Sequence, residues 1–190
     1  MKGLSIKLAI LGLLMEADSH PYEIRQKMKE RAMDQYMKIQ DGSLYYAIDQ
    51  LKKEGSVTVV DVIREGSRPD KTIYRITDKG KTKFEKLLLD QFKEGVKVNN
   101  PLYAAVVFSR HADSKLIARK LEEHIIEVEA YTVRMKGVYE EHVGTVPRST
   151  LHLMWGLYDH ARTELKWLKR LYEDTKAGRL GEFGKGLDVE

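Results

Sequence analysis

Residues 38–80 read KIQDGSLYYAIDQLKKEGSVTVVDVIREGSRPDKTIYRITDKG, an order of signals that few folds accept. Asp41 and Ser43 offer side-chain oxygens at a helix start, and Leu44, Ala47, Ile48 and Leu51 follow at the i, i+3, i+4, i+7 spacing that buries one stripe. Gly55 ends that helix. Residues 57–65 and 71–76 are rich in Val, Ile, Thr and Tyr, and the five turn formers Gly66, Ser67, Arg68, Pro69 and Asp70 separate them, which predicts a β-hairpin. Thr77 then stands where it can cap another helix. A helix feeding a hairpin that feeds a second helix is the back half of a winged helix-turn-helix.

The front half is present upstream. Ser5 can cap a helix in which Leu8, Ile10, Leu11, Leu13, Leu14 and Met15 are apolar on nearly every side, so burial is expected. Asp18, Ser19 and His20 break the pattern, and Pro21 sits where a first helical turn tolerates it. A second helix is expected from Tyr22 to about Met33, with Ile24 and Met28 inward, and residues 36–39 read as a short extended link.

The face of the third helix opposite its apolar stripe carries Ser43, Tyr46, Gln50 and Lys53, donors and acceptors long enough to reach base edges or phosphates from a major groove. Taken alone, an ordinary solvated face explains the same residues. The hairpin tip is flanked by Arg64, Arg68 and Lys71, which suits phosphate contact and equally suits a soluble edge strand. Bulk charge does not decide between these readings. Of 33 Lys+Arg and 29 Asp+Glu, residues 1–80 hold 14 and 12 and residues 81–190 hold 19 and 17, so each part carries only two excess positive charges. DNA affinity must therefore come from where a few cations stand, and it should be strongly salt dependent.

Several functions are set aside by what the chain lacks. Without cysteine it has no disulfides, thiolate-bound zinc, cysteine-ligated clusters or thiol redox sensing. The first apolar run, residues 8–15, is too short to cross a bilayer and no cleavage-type segment follows, which points to a cytoplasmic protein. There is no HExxH, GxSxG, GxxxxGK[ST] or strand-linked GxGxxG, so an enzyme is not expected. His142, His152 and His160 lack paired-ligand spacing, and no metal or cofactor is expected.

The second half reads as helical. Phe84, Leu87, Leu88 and Phe92 stripe the helix after Thr77, residues 95–101 read as a linker, and residues 102–108 form a short apolar segment. Asp113 starts a long helix carrying Leu116, Ile117, Leu121, Ile125, Val128 and Val133 to about Tyr139. The last helix, residues 149–176, sets Leu151, Met154, Trp155, Tyr158, Ala161, Leu165, Leu168 and Tyr172 in a three-and-four seam, with a second stripe at Leu153, Leu157, Trp167 and Leu171. A helix apolar on two sides needs two neighbours, which suggests another copy as partner.

The segments LAILGLLMEADSHPYEI, DGSLYYAIDQLKKEG and YRITDKG, in that order, resemble the N-terminal domain of the PadR family of transcriptional regulators over residues 4–90. The resemblance implies a mainly α fold with a small β-hairpin: a winged-helix DNA-binding domain over residues 1–94, a helical dimerisation and effector domain over 101–176, and a flexible tail over 177–190. It implies double-stranded DNA as partner, and the candidate contacts are Lys38, Gln40, Ser43, Tyr45, Tyr46, Gln50, Arg64, Arg68 and Lys71. Tyr45 has an alternative as a partly core residue beside the Leu44 stripe.

Family members commonly carry Gly where this chain has Pro21 and Pro where it has Tyr46; a Pro there is expected to be absorbed in the first helical turn. The resemblance further implies a homodimer through Leu151, Met154, Trp155, Tyr158, Leu165 and Leu168 on a palindrome-like operator, and repression as the sign of regulation. A pocket for small aromatic or hydrophobic effectors is implied too, with His152, Trp155, Tyr158 and Trp167 as candidates, although aromatics at this spacing also serve as core. The competing reading is a winged-helix protein-interaction module that dimerises without reading a sequence.

Overall fold

The computed structural model describes residues 2–37, 41–63, 71–93 and 100–187, with side chains given for all of these except 2–5, 35 and 41. The chain divides into two compact units, Met1–Val96 and Lys97–Glu190.

The first unit contains α1 (Lys2–Glu16), α2 (Pro21–Glu30), α3 (Asp41–Lys53), the antiparallel strands β1 (Val57–Ile63) and β2 (Lys71–Ile76), and α4 (Asp78–Phe92). Its core joins Ile10, Leu11 and Leu14 of α1 to Ile24 and Met28 of α2 and to Leu44, Ala47, Ile48 and Leu51 of α3, closed by Val57, Ile76 and Leu87. The apolar stripe read from α3 is thus the inward face. Leu44 and Leu51 are fully enclosed, each burial worth about 1.5–3 kcal/mol.

Two helix ends differ from expectation. α1 begins at Lys2, which puts Ser5 inside the helix, and Met15 at its other end is half exposed. α2 stops at Glu30, three residues early, because Ala32 takes a left-handed conformation (φ 48°, ψ 37°) and a short 3-10 turn, Met33–Gln35, follows.

The strands pair from Val57↔Ile76 to Ile63↔Lys71, with a register slip between Val59 and Asp61. The loop between α1 and α2 adds a bridge on the far side of β2: the Ser19 and Tyr74 amides each donate to the other's carbonyl at 3.1 Å. The root of the wing is knotted where three elements meet. Thr77 caps α4 by accepting from the Gly80 N–H, donates its hydroxyl to Gly55 O at 2.7 Å, and donates its own N–H to Ser56 O at 3.1 Å.

The second unit contains α5 (Pro101–Phe108), α6 (Ser114–His142) and α7 (Arg148–Lys176). Asn100 and Asp113 cap α5 and α6 through their side chains, and Pro101 occupies the first turn of α5. α6 and α7 form an antiparallel pair joined by a short turn in which Gly144 has φ +83°, a conformation that favours glycine. Leu121, Ile125 and Leu168 are buried between them, flanked by Ile117, Val128, Leu165, Trp167, Leu171 and Tyr172. Beyond α7 the chain makes a 3-10 turn at Arg179–Gly181, and Arg179 pairs with Asp174 at 2.6 Å.

Candidate nucleic-acid interface

With Leu44, Ala47, Ile48 and Leu51 turned inward, the remaining faces of α3 are open. Tyr45 is 51% exposed and Tyr46 66% exposed, Ser43 is exposed and Gln50 is half-buried. About half of Tyr45 therefore reaches solvent, beside the enclosed Leu44. Lys53 is paired within the helix to Asp49 at 2.7 Å. Position 46 also differs from expectation: with α3 already formed at Asp41, Tyr46 lies in the second turn, where a backbone amide is needed for helical bonding. A Pro there would not be absorbed as a first-turn residue. Lys38, Gln40, Arg64 and Arg68 lie outside the described residues.

Lys71 opens β2 and pairs with Glu23 of α2 at 3.0 Å. Glu23 also accepts the His20 N–H at 3.0 Å, while His20 Nδ1 accepts the Tyr22 N–H at 3.1 Å, so α2 begins in a reciprocal cap. The His20 backbone bond, then Lys71, hold the Glu23 carboxyl below its ordinary range. Arg75 grips Asp18 through two nitrogens, with Nη2 2.5 Å from Oδ2, and depresses that carboxyl too. Glu54 at the end of α3 is shared by Lys83 and Lys7, which lower its pKa in that order. The first two pairs tie α2 and the loop before it to β2, and the Glu54 pairs tie the end of α3 to α1 and α4. The arrangement presents hydroxyls, an amide and a lysine.

In the second unit the expected seam of α7 divides. Ala161 and Leu168 are buried against α6, and Leu165 and Tyr172 pack around them, so this half of the seam is consumed within the unit. Leu151, Met154 and Tyr158 are half-buried and Trp155 is 39% exposed. Trp155 lies 4.8 Å from Tyr139 and 4.9 Å from Tyr158, ring centre to ring centre, whereas Trp167 packs edge-on against Tyr103 at 5.4 Å. Twelve residues of helix put Trp155 and Trp167 about 18 Å apart along α7, too far for one small ligand to touch both. His152 is exposed one turn before this aromatic trio.

A cleft of about 400 Å³ between α6 and α7 was not anticipated. It is lined by the apolar Val128, Leu157 and Ala161 and by Tyr131, Arg134, Glu127, Glu164, His124 and His160. The sequence signal was present as the i, i+3, i+4, i+7 spacing of Leu157, His160, Ala161 and Glu164, but mixed charge along a helix reads first as a solvated face. Among the described residues no group of acidic and histidine side chains could hold a metal ion, and no helix is long and apolar enough to cross a membrane.

Three helices, an antiparallel wing and a polar face on the third helix define a winged helix-turn-helix of the kind that transcription regulators use. Residues 10–86 match the transcriptional regulator PadR-like family, and over that stretch the chain is a PadR-like domain. The fold is similar to that of Bacillus subtilis PadR in complex with operator DNA, at 20% identity over 90% of this chain and 99% of that one, with a TM-score of 0.76. It is similar to the same protein in complex with p-coumaric acid, at 19% identity over 90% of this chain and 98% of that one, TM-score 0.76. The Vibrio cholerae virulence activator AphA shares the fold at 15% identity over 90% of this chain and 98% of that one, TM-score 0.72. No curated protein matches in sequence.

Proposed function

We propose that this chain is a sequence-specific DNA-binding transcriptional regulator of PadR type, a repressor acting as a homodimer on a palindrome-like operator and released by a small aromatic or hydrophobic effector. The observation that carries the reading is α3: its whole apolar stripe is spent on the core, which leaves Ser43, Tyr45, Tyr46 and Gln50 on its open faces. With Lys38, Gln40, Arg64, Arg68 and Lys71, they are the residues to which we assign DNA contact.

Two further points support the assembly. A chain with a net charge of +4 neutralises few phosphates, whereas two copies related by a twofold axis engage half-sites about 34 Å apart. Ile126 and Val133, seven residues apart on α6, are 61% and 74% exposed, and Leu153 and Trp155 of α7 are 37% and 39% exposed. A second copy is the occupant we assign to these apolar positions, joined by Leu151, Met154 and Tyr158. For the effector, Trp155 and Tyr158 with Tyr139 are the aromatic group that a flat ligand would meet, and Trp167 is set aside by its distance.

A mobility-shift assay with the DNA upstream of the protein's own gene tests the reading. A saturable complex that resists random competitor and dissolves with an aromatic acid such as p-coumarate is expected. A chain that gives no competitor-resistant complex is not a sequence-specific regulator.

A further inference from the structure

Of the six histidines, only His20 falls within residues 1–96. Its Nδ1 accepts the Tyr22 N–H, an arrangement that requires a neutral ring with its proton on Nε2. Glu23, which takes the His20 N–H, also takes Lys71 at the first residue of β2. One carboxylate is therefore shared between the cap of α2 and the tip end of the wing. The charged groups acting on the ring are Glu23 from α2 and Lys71 from β2. Along the same seam Asp18 is held by Arg75 of β2, and Lys27 of α2 donates to Ser19 Oγ at 3.3 Å.

A proton on His20 changes this pattern. Nδ1 becomes a donor, the Tyr22 N–H loses its acceptor, and a full positive charge stands beside a carboxylate that already serves Lys71. We propose that His20 and Glu23 are positioning residues of the DNA-reading face: the neutral ring leaves Glu23 to hold Lys71 at the tip end of the wing, and the protonated ring draws Glu23 to itself and passes Lys71 to a DNA phosphate. This rests on the DNA-binding reading above. Burial of the ring resists the proton most, Glu23 favours it and Lys71 opposes it, so the handover falls below the ordinary histidine range.

The test uses the full chain and a short random-sequence duplex, with affinity followed from about pH 8 to about pH 5. The wild type should gain roughly threefold to tenfold as pH falls, with the salt slope steeper by about one phosphate contact. His20→Asn keeps a neutral cap acceptor and should remove that step, while the five histidines beyond residue 96 contribute equally to both proteins. Glu23→Gln should bind at neutral pH as the wild type does in acid. Without DNA, the His20 ring followed by NMR should titrate higher in Lys71→Met and lower in Glu23→Gln. Parallel pH profiles for the wild type and His20→Asn, or a ring unmoved by both substitutions, would overturn the proposal alone. No duplex binding by any variant at any pH would overturn the DNA reading and the proposal with it.

Discussion

Replacing Gly80 with Ala tests how the wing is anchored. A Cβ at this third residue of α4 would stand 2.0 Å from Ser56 O and 2.7 Å from Ile76 Cγ1, and the first contact is with backbone, a full ångström inside the 3.0 Å that real Cβ atoms respect. Its φ is not left-handed, so glycine is demanded by approach and not by conformation. Ser56 O accepts the Thr77 N–H at 3.1 Å, and pushing the carbonyl back sacrifices that bond, about 1 kcal/mol, on top of about 1–3 kcal/mol of overpacking. The better helix propensity of Ala returns less than about 1 kcal/mol. A net loss of about 2–3 kcal/mol is expected in the winged unit.

Both tryptophans, Trp155 and Trp167, lie in the other unit, so the assay is hydrogen exchange of the β1 and β2 amides, whose protection should fall roughly 30- to 150-fold. Gly42→Ala, with nothing within 4 Å, should be neutral or slightly stabilising, and Gly55→Ala, in open space but at φ +70°, should cost about 1–2 kcal/mol. If Gly80→Ala is no worse than Gly55→Ala, close approach is not why residue 80 is glycine.

Leu168→Ala should destabilise the helical unit by about 2–5 kcal/mol, read by the fluorescence of Trp167 beside the same cluster; a loss under about 1 kcal/mol would mean the site collapses freely. Tyr46→Pro should cost about 3 kcal/mol rather than being absorbed, measured by exchange of the α3 amides. Gln50→Ala should weaken the cognate site by about 1–3 kcal/mol and leave random DNA alone, whereas Lys71→Ala, assayed at about pH 5 where Glu23 has turned to the His20 ring, should weaken both and reduce the salt slope by about one; equal effects on both duplexes from Gln50→Ala would remove it from base reading.

Glu16, Asp18, Glu23 and Glu54 are held below the ordinary carboxylate range by Arg31, by Arg75, by the His20 N–H with Lys71, and by Lys83 with Lys7. Folded values below unfolded ones give stability that is present above about pH 4.5 and lost as pH falls through the depressed values. All four lie in the winged unit, so hairpin amides should lose protection at higher pH than α6 and α7 amides, and the reverse order would refute this.

Much of the winged unit could be read from periodicity, because its buried stripes are also its sequence stripes. α3 and the start of α4 are the plainest cases: Leu44, Ala47, Ile48 and Leu51 are the residues that vanish into the core, and Thr77 caps where a threonine before a helix should. What escaped was set by contacts between distant residues. Nothing local to Ala32 announces a left-handed alanine, so the early end of α2 was invisible. His20 reads as a pattern breaker, and its role as a cap depends on its tautomer and on Glu23 three residues on. In α7 the seam was legible, but a seam does not say which neighbour fills it, and Leu121 and Ile125 of α6 in the same chain take Leu168. The cleft by His124 and His160 needs two helices in register, which no single-helix pattern specifies.

A sheet of two strands is almost all edge. β2 has its outer side met by Ser19 at Tyr74, but among the described residues β1 has no strand on its outer side, and it carries Val60, Val62 and Ile63 at 38%, 44% and 38% exposure. Such a strand is a template on which another copy could add itself without limit. The slip between Val59 and Asp61 breaks the straight run of amides and carbonyls that addition requires, and Asp61 turns its own carboxylate onto the Val62 N–H at 2.8 Å, occupying a donor near the far end of the strand. One surplus residue in a seven-residue strand thus bears on whether copies of this chain stay apart or grow into a fibre.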